Sequence, residues 1–339
     1  YGRRGTPTTF ALEDALTALE GDAAAGTAIV PSGLAAITMS LMALVQTGDH
    51  ILITDNSYGP TRNFSNNTLA RFGVEAEYYD PGIGAGIEQL IRPNTRLIWL
   101  ESPGSQTFEM QDVPAIVEVA KAKGVKTLID NTWSGGYFYK PLTHNVDVSV
   151  QAGTKYIVAH SDVMLGSITS NEATHEQIYS STQSFGACSG PDDIYLALRG
   201  LRTMGVRMPR HHESGLAIAR WLQKRPEVIR VMHPGLPQDP GHELWKRDFT
   251  GASGLFGFVV DSTNSDKAAA MLDGLNFYGM GSSWGGFESL LIPASPEKNR
   301  TATAWNPKGL TMRIHVGLED VDDLIADLDA GFDRYNKAG

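Results

Sequence analysis

The chain is 339 residues long, more than one small core needs, so two domains in one unit is the expectation. Lys and Arg number 28 against 38 Asp and Glu, and the net charge of −10 argues against a nucleic-acid-binding surface, which needs a basic stripe. No run approaches the ~18 apolar residues of a membrane span, and the single cysteine, Cys188, leaves no disulfide framework and points to a reducing cytoplasm.

In chain order, "TTFALEDALTALEG" sets Phe10, Leu12, Leu16 and Leu19 at helical spacing, with Gly21 as the stop. "TAIV" reads as a short strand, "GLAAITMSLMALVQTG" as a buried helix and "HILITD" as the next strand. The alternation continues through "VEAEYYD", "RLIWLES", "VPAIVEVAKAKG", "VKTLIDN" and "VDVSVQ". Short apolar strands alternating with helices predict an α/β domain over residues 9–200, its mostly parallel sheet covered on both faces. Beyond residue 200 the amphipathic helices "ESGLAIARWLQKR" and "DVDDLIADLDAGFDRY" flank strand candidates "GLFGFVVDS" and "LTMRIHVGLE". That pattern predicts a smaller α+β domain over residues 201–339.

Ligands of open α/β sheets bind outside the carboxyl ends of the strands. Asp130 closes "VKTLID", Tyr58 follows "HILITDNS", Ser32 and Gly33 follow "TAIV" and open a helix, and Lys155 follows "VDVSVQAGT". Singly these read as a turn former, a surface aromatic, a helix cap and a solvated lysine. Together they match what pyridoxal phosphate (PLP) requires: a lysine amine, a carboxylate for the pyridinium nitrogen, an anion cradle at a helix start and a flat aromatic face. The nine histidines show no metal spacing such as HExxH, so no metal is expected.

The segments "YGRRGTPT", "PSGLAAI", "DNSYGPTR", "ESPGS", "LIDNTWSGGYFYKPL", "QAGTKYIVAHSD", "RGLRT", "SSWGGFESL" and "RIHVGLED" resemble, in this order, the Cys/Met-metabolism PLP enzymes. The resemblance implies the aspartate-aminotransferase-like fold (PLP fold type I). It makes Lys155 the Schiff-base lysine, Asp130 the partner of the ring nitrogen and Tyr58 the stacking ring. Gly33 and Leu34 would offer N–H groups to the phosphate, with the Thr154 hydroxyl nearby. Arg313 would clamp the substrate α-carboxylate, assisted by Ser283, with Trp284 and Arg4 also at the substrate. Residues 1–8 would be the remnant of an N-terminal arm, from which Tyr1 and Arg3 reach the phosphate of a neighbouring subunit in a homotetramer built from dimers. Relatives carry several dozen residues before this Y-x-R pair, so the natural chain is expected to begin upstream.

Two positions depart from the family pattern: Ala152 stands where many relatives have a phosphate-binding Ser, and Ser105 where many have Asn. "ESPGS" and the Trp of "SSWGG" resemble the bacterial β-lyase branch. The implied activity is therefore α,β-elimination of a thioether amino acid, L-cystathionine, to homocysteine, pyruvate and ammonia in methionine biosynthesis. The alternative within the family is γ-lyase or γ-synthase chemistry. An NAD-dependent Rossmann dehydrogenase would need G-x-G-x-x-G after its first strand, and "GDAAAGTAIVPSG" does not supply it. A non-catalytic regulatory protein would not need Lys155, Asp130 and Arg313 together.

Overall fold

Thr6 and Thr9 begin the first helix reciprocally, each hydroxyl accepting the other's backbone N–H, and Pro7 occupies the first turn, where no donor is needed. This helix, α1 (Pro7–Glu20), ends at Gly21 as its sequence predicts. The computed structural model describes residues 1–338. Leu12 and Leu16 of α1 are buried, each contributing roughly 1.5–3 kcal/mol. Phe10 is not on that face: it is 46% exposed, because two residues before Leu12 it points about 200° round the helix.

The chain continues through β1 (Gly26–Val30), α2 (Gly33–Leu44), β2 (His50–Thr54), the short α3 (Gly59–Asn63), β3 (Glu75–Tyr79) and β4 (Thr95–Glu101). Then come α4 (Val113–Ala122), β5 (Lys126–Asp130), β6 (Val148–Gln151) and β7 (Gly166–Ser170). The seven strands form one sheet in the order β1-β7-β6-β5-β4-β2-β3. Pairings from β3 to β6 are parallel, whereas β7 runs antiparallel to both β1 and β6. Strand β7 has no counterpart in the sequence reading: "GSITS" is small and polar, yet every residue in it is buried. Its Thr169 hydroxyl pairs with that of Thr27 on β1 at 2.8 Å, which satisfies both.

Alternate residues serve the two faces of the sheet. Ile51, Ile53, Trp99 and Leu128 pack under Ile37 and Leu41 of α2, while Leu52, Ile98, Leu100 and Ile129 join Leu12, Leu16 and Ile116 of the α1–α4 side. Both faces are covered, as near-continuous apolar strands require. Between β2 and β4 the strand order changes direction, β3 lying on one side and β5 on the other. That is the point where α/β sheets open a crevice.

Helices α5 (Glu172–Ser184), α6 (Pro191–Leu201) and α7 (Met204–Leu222) lead out of the sheet. A second sheet follows from β8 (Val228–Met232), β9 (Leu255–Val260), β10 (Leu290–Ala294) and β11 (Thr311–His315), with α8 (His242–Asp248), α9 (Ser265–Leu272) and α10 (Val321–Lys337). Its order is β10-β11-β9-β8, antiparallel throughout. Phe256, Phe258, Met312 and Ile314 pack on Leu324, Leu328 and Phe332 of α10. Strands β8 and β10, missing from the sequence reading, are the two edges of this sheet; β10 carries Pro293, which only an edge tolerates. Helix α7 begins nine residues earlier than "ESGLAIARWLQKR" and contains Pro209. Its Met204 and Met208 belong to the core of the large sheet, its Ile218 and Leu222 to that of the small one. Among the described residues no helix is long and apolar enough to cross a membrane.

Candidate active site

The carboxyl ends of β2, β4, β5 and β6 meet β11 and the loop at residues 281–285 around a cavity of about 740 Å³. Gly33, Leu34, Tyr58, Asp130, Thr154, Lys155, Ser283, Trp284 and Arg313, all named from the sequence, line it. Tyr1, Arg3 and Arg4 do not: Tyr1 is 91% exposed, and Arg3 donates from Nη1 to the Gln183 carbonyl at 2.8 Å.

Lys155 sits in the turn that follows β6, where its N–H donates to the Ala152 carbonyl at 3.0 Å. Its Nζ donates to Ser283 Oγ at 2.6 Å and lies 5.2 Å from the centroid of the Trp284 ring. Burial and the nearby Arg313 bring the ammonium down to about 8, against the pull of Asp130. A lysine so placed is a usable base near neutral pH.

Asp130 ends β5, and its Oδ1 accepts both the N–H and the hydroxyl of Thr132, at 3.0 and 2.5 Å. Burial pushes its carboxyl up, while Thr132 and Lys155 pull the other way. Directly across the β4–β5 register lies Glu101, whose Oε2 accepts the Tyr58 N–H at 2.8 Å. Burial and the neighbouring Asp130 raise Glu101 well above the usual carboxylate range. Carboxyl groups facing each other across adjacent strands oppose each other's ionisation, and the stronger upward push falls on Glu101. Burial, Asp130 and Glu101 raise the Tyr58 phenol, which therefore keeps its proton at neutral pH.

At the start of α2, Ser32 Oγ accepts the Ala35 N–H and the Ser32 carbonyl accepts that of Ala36. The N–H groups of Gly33 and Leu34 are left for a ligand at a helix start with no acidic residue in its first turn. Gly33 is required there: a Cβ would lie 2.4 Å from the Ala152 methyl. Ala152, the departure from the family's Ser, thus packs on the cradle, and its N–H donates to Thr132 Oγ1 at 2.9 Å. Thr154 spends its hydroxyl on clasping Leu165, accepting its N–H at 2.9 Å and donating to its carbonyl at 3.2 Å. Arg313 donates from Nη2 to the Ser282 carbonyl at 2.8 Å, and the guanidinium, with five N–H donors, keeps others for a carboxylate.

The sequence profile of the Cys/Met metabolism PLP-dependent enzymes matches residues 1–333. The chain belongs to this family. Among its relatives, cystathionine beta-lyase MetC of Escherichia coli K12 is 46% identical over 98% of this chain and 86% of that protein. The cystathionine beta-lyase of Salmonella typhimurium LT2 is likewise 46% identical, over 98% of this chain and 86% of its own. The crystal structure of cystathionine gamma synthase from Xanthomonas oryzae pv. oryzae in complex with cystathionine superposes with a TM-score of 0.92. It is 30% identical and spans 100% of this chain and 88% of that one. The fold is the PLP-enzyme fold expected, a large mostly parallel sheet with a smaller α+β part, and pyridoxal phosphate is the family's cofactor.

The donor set fits that cofactor. Free N–H groups at a helix start suit a phosphate, a carboxylate suits a ring N–H, and a lysine amine suits the aldehyde. Sequence reasoning missed Glu101 and Thr132. Glu101 closes "RLIWLE" just as Asp130 closes "VKTLID", so the same strand-end signal pointed to it. Thr132, two residues past Asp130, has the spacing of a local Asp-to-backbone turn.

Proposed function

We propose that the protein is a PLP-dependent carbon–sulfur lyase that cleaves L-cystathionine by α,β-elimination, yielding with water homocysteine, pyruvate and ammonia, as in methionine biosynthesis. The observation that carries this reading is the convergence of Lys155, Asp130, Tyr58 and Arg313 on one cavity. The names of the two 46% identical relatives support the choice of substrate.

Gly33 and Leu34 would hold the phosphate, Asp130 the ring nitrogen and Tyr58 the ring face, and Lys155 would carry the covalent link. When bound, PLP supplies an electron-withdrawing ring that accepts charge from the substrate's Cα. Arg313 grips the α-carboxylate by two parallel hydrogen bonds and so fixes which Cα bond faces Lys155. The Lys155 amine, once free, would take the Cα proton; base positioning of this kind contributes ~10²–10⁴-fold. Ser283 Oγ, already paired with Nζ, keeps the amine on the reacting side. The leaving sulfur takes a proton from Lys155 or from the Tyr58 phenol, which holds its own at neutral pH. Phe108, Trp133 and Leu255 form apolar wall.

The cofactor domain spans residues 9–200 and the C-terminal domain 201–339, with α7 seated in both cores. Tyr1 and Arg3 complete the phosphate site of a neighbouring subunit, and Arg4 its substrate site, in a cytoplasmic homotetramer built from dimers. Supporting this, none of the three lines the chain's own cavity. Mixing Arg3→Ala with Lys155→Ala subunits is expected to restore part of the activity each parent lacks, because one site per hybrid dimer carries neither lesion. No recovery despite subunit exchange would place Arg3 outside a shared site.

The decisive experiment is product identification from L-cystathionine with the cofactor-loaded enzyme. Pyruvate and homocysteine are expected; 2-oxobutyrate and cysteine would mark the γ-route and overturn the assignment.

A further inference from the structure

Gly285 follows Trp284 in a left-handed conformation, φ 81°, and lies so close to the lysine turn that a Cβ would come within 2.8–3.0 Å of Lys155 Cβ, Cα and carbonyl carbon. What holds it there is His315, two residues beyond Arg313 on β11. His315 Nδ1 lies 3.1 Å from the Glu288 carbonyl oxygen, which only accepts, so Nδ1 carries the hydrogen. Its Nε2 lies 3.1 Å from the Gly285 N, which only donates, so Nε2 is bare. Both contacts are made only by the neutral ring, and His315 is 1% exposed, packed against Tyr156 and His211. His211 Nδ1 is in turn 2.9 Å from the Val316 carbonyl oxygen.

Strand β11 therefore grips the 281–285 loop twice. One grip, Arg313 Nη2 on the Ser282 carbonyl, comes from the residue assigned to the substrate. The other, His315 on Gly285, is made by a residue that does not line the cavity.

We propose that His315 is a positioning residue of the reaction, a neutral hydrogen-bond acceptor that pins Gly285 and thereby keeps Ser283 and Trp284 against the Lys155 amine. The inference rests on the reading of Lys155 as the reacting amine. A ring of similar volume without the acceptor leaves a buried N–H unpaired, a fault large enough to shift the loop. A side chain that supplies an acceptor where Nε2 stood repairs it.

The test compares His315→Phe with His315→Gln, whose amide oxygen reaches the Nε2 position. Two readouts are used: kcat/KM of the cofactor-loaded enzyme, and the pH dependence of Lys155 labelling by an amine-selective reagent in cofactor-free protein. For His315→Phe, kcat/KM should fall on the order of ten- to hundredfold, and the Lys155 titration should move up from about 8 as the loop ceases to shield it. His315→Gln should recover most of both. Wild-type behaviour of His315→Phe, or equal damage in Phe and Gln, overturns the proposal. If His315→Phe does not fold, His315→Asn, whose oxygen falls at the Nδ1 position, replaces it: Gln above Asn supports the proposal and equality overturns it. The labelling experiment uses no substrate, so failure to cleave cystathionine would refute the proposed function while this point is decided separately.

Discussion

The two walls of the cavity are built on different plans. On the cofactor side, the fixing bonds are short in sequence: Asp130 to Thr132 spans two residues, Ala152 to Thr132 twenty. On the substrate side they are long: Lys155 reaches Ser283 across 128 residues, and Asp55 accepts from the N–H and hydroxyl of both Thr301 and Thr303, up to 248 residues away. Asp55, three residues before Tyr58, also pairs with Arg62 at 3.1 Å, so one buried carboxylate ties the ring wall to the segment leading into β11. Asp130 and the anion cradle can be set within the large sheet alone, whereas the placement of Tyr58, the Lys155 amine and the substrate half needs the second sheet docked. Damage to the first should therefore cost chemistry, and damage to the second should cost substrate grip or stability.

The largest effect belongs to Lys155→Ala, which is expected to abolish turnover and borohydride fixation of the cofactor while leaving the thermal midpoint near wild type. Fixation surviving in that variant would move the covalent site elsewhere. Next comes Asp130→Asn, which removes a charge felt only as electrons move onto the ring. kcat should fall ~10²–10⁴-fold with the cofactor still bound, and a near-normal kcat in steady-state assays would leave Asp130 a turn residue. Arg313→Lys should act on the other half, raising KM by about tenfold or more with a smaller change in kcat, because a lysine lacks the fork. A kcat loss without a KM rise would break the division between the two walls.

The smallest expected effect is on stability. Burial alone would raise Asp55, but donors from Thr301, Thr303 and Ala302 outweigh it and hold the carboxyl below its ordinary value. A depressed folded-state value gives stability that is full above the unfolded value, near ~4, and is lost as pH falls through the folded one. Asp55→Asn should cost about 1–3 kcal/mol at neutral pH and flatten the acid arm of the stability curve below pH ~4. Urea titrations from pH 7 to 3 measure both, and an unchanged acid arm would show that the tie is not stabilising.

Much of the cofactor wall was legible because its signals are local. A charged residue closing an apolar strand, as in "VKTLID", marks the crevice side of a sheet without reference to any distant residue. Lys155 gained its meaning only beside Asp130, Tyr58 and the start of α2, since a lysine after a strand is ordinary by itself, whereas Arg313 and Ser283 came from the family resemblance. Strand β7 escaped because burial there follows from hydroxyl pairing across the sheet rather than from apolar composition. Phe10 was misassigned by grouping it with residues on the opposite side of α1. His315 and Gly285 lie thirty residues apart, and no local pattern announces that one accepts from the other.

The place of β7 also dictates an order of events at the ribosome. Strand β1 is the edge of the large sheet and pairs only with β7, Gly26 opposite Ser170. At synthesis rates of roughly 5–20 residues per second, β1 waits roughly 7–30 s for its partner to emerge. Closing so long a loop is slow, and an unpaired apolar edge is open to association in the meantime. The start of α2, which seats on Ala152 beyond β6, has to wait as well. The anion cradle near the beginning of the chain is thus among the last parts of the large domain to be finished, and cofactor capture follows rather than guides the making of its own binding sheet.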